Sequence, residues 1–106
     1  MSAKLVYVTC VDEAEAEKVA AAVVEEKLAA CANMLPGMKS IYWWDGAVQS
    51  STECVLILKT DARLAAELSG RICELHSYEC PCVAVMPIES GNPDYLEWIR
   101  ASVRPQ

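Results

Sequence analysis

A chain of 106 residues and 11.6 kDa has room for one domain, spanning residues 1–106. Apolar residues make up 54% of it, with only five Pro and four Gly, which excludes a disordered or low-complexity chain. Fifteen Asp+Glu against nine Lys+Arg give a net charge of −6, and no two basic residues are adjacent, so the basic patch of a nucleic-acid binder is missing.

Met1-Ser2-Ala3-Lys4 leads straight into Leu5–Cys10, an apolar, β-branched run that reads as a central strand covered on both faces. Asp12 is an N-cap, with Glu15 placed as in a capping box. Ala16, Ala20, Val23, Val24, Leu28 and Cys31 follow at helical spacing, so the first helix is expected over about Glu13 to Leu28. The longest apolar run, Val19–Val24, is six residues, where a membrane span needs about 20. Neither a span nor a secretory signal is expected.

Ala30–Leu35 is a short apolar run broken by Pro36-Gly37, and Met38–Trp44 resumes it as strand. Asp45-Gly46 is a two-residue hairpin signal because both turn positions need φ > 0. The returning strand is Ala47–Lys59, and the turn sets Trp44 opposite Ala47 and Tyr42 opposite Gln49. Aromatic and apolar residues on both faces of this tip suit docking to another subunit. Thr60 or Asp61 caps a second helix whose stripe is Leu64, Leu68, Ile72 and Leu75, ending near His76. Cys82–Ile88 is a further strand. Asn92-Pro93 starts a last short helix with Tyr95, Ile99 and Val103 inward.

This order predicts an α+β, ferredoxin-like βαββαβ antiparallel sheet with an extra C-terminal helix. Two helices cover one face of such a sheet; the other stays bare unless a partner chain covers it, which points to an oligomer.

Six cysteines, at 10, 31, 54, 73, 80 and 82, lie within apolar segments, and most are read as reduced, buried thiols rather than a disulfide framework. Cys73 and His76, three apart, are expected to share a helix face, and Cys80 and Cys82 one face of a strand. A turn at Ser77-Tyr78 would gather them into a soft-metal cluster suited to Cu(I) or Zn(II). The other reading makes Cys73 and Cys82 core residues, and His76 a helix C-terminal imidazole facing the dipole.

The segments LAACANMLPG (28–37), SIYWWDG (40–46), LILKT (56–60), HSYECP (76–81) and GNPDYLEWI (91–99) resemble the CutA divalent-cation tolerance family, with VTCVDEAEAE (8–17) similar to its first strand and helix start. The resemblance implies a trimeric protein, a cytoplasmic homotrimer similar to PII signalling proteins in fold and assembly, which binds copper or other divalent cations and has no established catalytic reaction. The family's copper ligands are a first-strand cysteine and two adjacent histidines after the second long helix. Here these positions carry Val8, Leu75 and His76, with Cys10 two residues beyond Val8 on the same face, and the proline that usually follows is Ser77.

The metal candidates are therefore His76, Cys80, Cys82, Cys73 and Cys10. Tyr42, Trp44, Lys59, Tyr78 and Glu79, with Cys31 near them, resemble the family's polar-aromatic pocket between subunits. Such a pocket would either hold a small ligand, as in a PII-like binding trimer, or be an ion pair under aromatic packing. No nucleophile motif accompanies the lone His76, so an enzyme is not expected.

Overall fold

The computed structural model describes residues 2–105. Its elements run β1 (Ala3–Cys10), α1 (Glu13–Glu25), β2 (Cys31–Trp44), β3 (Ala47–Asp61), a 3₁₀ turn (Ala62–Leu64), α2 (Ala65–Leu75), β4 (Val83–Pro87) and α3 (Pro93–Ser102). All neighbouring strands are antiparallel, in the order β2-β3-β1-β4. This is the α+β ferredoxin-like arrangement with its added helix.

Strand periodicity decides what each face of the sheet does. Val6, Val8 and Cys10 of β1 and Cys54, Leu56 and Leu58 of β3 point to one side and are buried. Ala16, Val19, Ala20 and Val23 of α1 and Leu68 and Ile72 of α2 close over them to make the core. The Arg71–Glu26 ion pair at 2.9 Å ties the two helices together at the surface. Thr60, at the end of the buried row of β3, donates its hydroxyl to the Leu28 carbonyl at 2.7 Å, so this buried polar group is satisfied.

The opposite face is only partly bare. Tyr95 of α3 lies beside Cys31 and Lys59, so α3 covers the end of that face where these cross-strand partners sit. Ile99 and Val103 are buried as expected, whereas Tyr95 is exposed along one edge.

Local chemistry corrects several boundaries. α1 ends at Glu25 rather than Leu28, and Cys31 opens β2 instead of continuing the helix. Lys27 takes the left-handed conformation (φ 60°). Its N–H donates to Val24 and that of Leu28 to Val23, which caps the helix C-terminus in a Schellman motif. The two apolar runs around Pro36-Gly37 form one strand, because a register shift between Leu35 and Met38 absorbs the interruption, with Gly37 at φ 80°. Asp61 caps the 3₁₀ turn through the Arg63 N–H, so α2 starts only at Ala65. The hairpin register holds as read, with Trp44 opposite Ala47 and Tyr42 opposite Gln49. Its tip extends the molecule to 44 Å in one direction and leaves Ile41 77% and Trp43 74% exposed.

Candidate metal centre and the cavity beside it

His76 does not continue α2. Its backbone turns extended (φ −81°, ψ 146°), which carries the ring off the helix face bearing Cys73 and in towards β1. The side chain is fully buried. The Tyr78 N–H donates to Nδ1 at 3.0 Å, so Nδ1 is an acceptor. Nε2 then carries the hydrogen and donates to the Thr9 carbonyl at 2.7 Å.

Glu15 comes to the same place from the first turn of α1. Its carboxylate accepts from the Val11 N–H at 2.9 Å and the Ser77 N–H at 2.8 Å, and lies 3.8 Å from His76 Nε2. One carboxylate therefore joins the end of β1, the start of α1 and the segment after α2. Burial raises its pKa, but hydrogen bonds from Ser77 and Val11 and the nearby His76 outweigh it and hold the carboxyl below its ordinary 4.5. Glu15 thus stabilises the fold above the unfolded-state value, and that contribution is lost as pH falls through the lower folded-state one. Acid unfolding should accordingly steepen below about pH 4.5. Glu15→Gln should flatten that limb when the midpoint is followed from pH 6 to 3; a variant with the wild-type pH profile would show that Glu15 is not the responsible group.

Cys10 completes the group. One ligand atom from each of Cys10, Glu15 and His76 lies within 4.8 Å of the others. Burial first, then the charges of Glu15, Cys54, Asp12 and Glu53, push the Cys10 thiol up from 9.0 to about 12. Cys10 is therefore a protonated thiol at neutral pH. Sulfur, carboxylate and imidazole donors suit Zn(II) or Cu(II). Both ring nitrogens are already committed, so a cation has to displace a hydrogen-bond partner as well as the Cys10 proton.

The other proposed ligands lie apart from this group. Among the described residues no three-donor cluster contains Cys73, Cys80 or Cys82. All three are exposed rather than core residues, and of the six thiols only Cys10 and Cys54 are buried. Cys80 and Cys82 precede β4 instead of lying in it.

Those two thiols line a cavity of about 870 Å³ on the open side of the sheet. Tyr42, Trp44, Tyr78 and Glu79 line it with them. Tyr78 donates its hydroxyl to Glu53 at 2.6 Å, and burial together with this carboxylate pushes the phenol pKa upward. Its ring lies 4.7 Å from that of His76, so metal group and cavity share a wall.

Lys59 and Cys31 do not belong to the cavity. They lie six residues down β3 from Glu53, on the order of 20 Å at about 3.3 Å per residue. There Lys59 Nζ donates to Asn33 at 3.0 Å, lies 3.8 Å from the Cys31 sulfur and sits over the Tyr95 ring. Neither Glu15 nor Glu53 stands out in the sequence as a site residue. Glu15 carried a signal, its capping-box position, but that pattern speaks of helix starts and not of ligands.

A family model described as CutA1 divalent ion tolerance protein matches residues 4–102. The chain belongs to the CutA1 family. The divalent-cation tolerance protein CutA of Archaeoglobus fulgidus is 40% identical over 98 residues, covering 92% of this chain and 95% of its own length. The chloroplastic Protein CutA 1 of Oryza sativa is 42% identical over 100 residues, 94% of this chain, and the chain spans 56% of that relative's length. The crystal structure of CutA1 from Oryza sativa superposes with a TM-score of 0.96 at 40% identity, covering 100% of this chain and 97% of its own. Val8 is fully buried and offers no donor, and Cys10 is the first-strand thiol beside His76.

Proposed function

We propose that this protein binds copper and related divalent cations as a cytoplasmic homotrimer, contributing to divalent-cation tolerance by holding the ion rather than by turnover. The observation that carries the reading is the Cys10–Glu15–His76 group, three donors of different chemistry converging within 4.8 Å in a member of the CutA1 family. Several relatives bear the name divalent-cation tolerance protein. The exposed aromatic hairpin supports self-association, and six free thiols suit a reducing compartment.

Because Cys10 holds its proton, capture of the ion releases it, and affinity rises with pH. The experiment is calorimetric titration with Zn(II), a redox-silent probe, at pH 6, 7 and 8 in buffers of different ionisation enthalpy. A Cys73→Ser/Cys80→Ser/Cys82→Ser background removes the exposed thiols. The expected result is one ion per chain, proton release, and a loss of roughly tenfold or more on adding Cys10→Ser or Glu15→Gln. Unchanged affinity in both variants would remove this group as the site.

A second reading, a PII-like trimer holding a small ligand, draws on the aromatic cavity. Within one chain the charged groups lining it are Lys39, Glu53 and Glu79.

A further inference from the structure

Cys80-Pro81-Cys82 lies outside the Cys10–Glu15–His76 group and offers exposed sulfur alone, without that group's imidazole and carboxylate. We propose that Cys80 and Cys82 form a separate site for a soft monovalent ion, Cu(I), a reading that goes beyond divalent-cation binding and uses other residues.

The placement follows from the sheet. β4 pairs with β1 through Val83 opposite Val8 and Ala84 opposite Tyr7. The pairing ends there, and the irregular segment before β4 carries Cys80 and Cys82 to the cavity that Thr9 and Val11 also line. Pro81 between the thiols fixes its own φ near −65° and removes one N–H. The segment is thus restricted before any ion arrives, which lowers the entropy lost on binding. Both thiols are free and exposed, whereas Cys10 is buried with its proton held tightly.

The donor set decides the ion. Structural zinc sites take four ligands, usually cysteine and histidine. Cys80 and Cys82 belong to no three-membered group of His, Cys, Asp or Glu among the described residues. Two sulfurs without a third strong donor satisfy a soft d¹⁰ ion of low charge, and thiolates select Cu(I). The surrounding wall of Tyr7, Val11, Tyr42 and Trp44 favours a weakly hydrated ion over a strongly hydrated divalent one. In the binding step two S–H protons leave for solvent and two Cu–S bonds form. Cu⁺ and two thiols give an anionic dithiolate complex and two protons, with no change in oxidation state.

The test is anaerobic competition of fully reduced protein against the Cu(I)–bicinchoninate complex, read from loss of the complex's colour. The wild type should withdraw Cu(I), and Cys80→Ser/Cys82→Ser should weaken that withdrawal at least tenfold. Thermal unfolding of the double variant is followed alongside, and a match to the wild type separates lost capture from lost folding. Cys10→Ser and Cys73→Ser should retain capture. Wild-type competition by the double variant overturns the proposal. So does an equal loss in Cys10→Ser, which would mean one shared site, or in Cys73→Ser, which would mean adventitious capture by any surface thiol.

Discussion

Leu56→Ala lowers the free energy of unfolding by about 3 kcal/mol, within the range measured for leucine truncation in tight cores. Leu56 is fully buried on β3, the second strand from the β2 edge, between its cross-strand partners Val8 on β1 and Met34 on β2. Hydrogen-bonded strands on both sides cannot close in on the space left behind, so most of the cavity persists. The expected signature is a denaturant midpoint that drops with little change in m, and a melting temperature lower by on the order of 15 °C. Wild type and variant are compared at one chain concentration, since association adds to apparent stability. A shift under about 4 °C would mean that the site collapses, and that this stretch of the core is held less tightly than its burial indicates.

Ile41→Glu/Trp43→Glu should convert the proposed homotrimer to single chains. The two side chains share a face of the β2–β3 hairpin, opposite Ser50 and Val48, and are the most exposed apolar groups of the tip. Burying two large apolar side chains contributes roughly 1.5 to 3 kcal/mol each at every interface, and two carboxylates reverse its sign. Light scattering after size exclusion should report three chains for the wild type and one for the variant. Far-UV circular dichroism should be unchanged, because both side chains are mostly exposed within their own chain. A variant that keeps the wild-type mass would place the assembly surface away from the hairpin.

The architecture was readable because its signals are local. Asp45-Gly46 fixes a turn and, through strand periodicity, the opposition of every pair along the arm. Asn92-Pro93 fixes the start of α3, where the Asn92 side chain accepts from the Asp94 N–H. The end of α1 was not readable, because a left-handed lysine does the work usually given to glycine and Lys27 carries no such mark. The site was half readable for a related reason. Spacing placed His76 on a helix face with Cys73, but the helix stops one residue earlier and the ring swings to the far end of β1. The partners it meets, Cys10 and Glu15, are 66 and 61 positions away, and only the packing of α1 and α2 on the sheet brings them close. Lys59 lies beside Cys31, Asn33 and Tyr95, six residues down β3 from the cavity residue Glu53, a separation along the strand that the family pattern does not express.

The two borders of the sheet are unequal. β4 on one side is five residues long, with Pro81 just before it and Pro87 at its end, a short and blunted border. β2 on the other side runs for 14 residues. A filament grows when a donor border on each molecule meets a different acceptor border on the next, indefinitely. Here the second border is too short and too proline-bound to accept the first. A closed ring of three also needs two different patches on each chain, so the proposed trimer would pair the β2 border and its arm with a surface other than the β4 border. The same prolines that bound β4 thus leave this sheet, in a chain with 54% apolar residues, one border poorly suited to endless strand pairing.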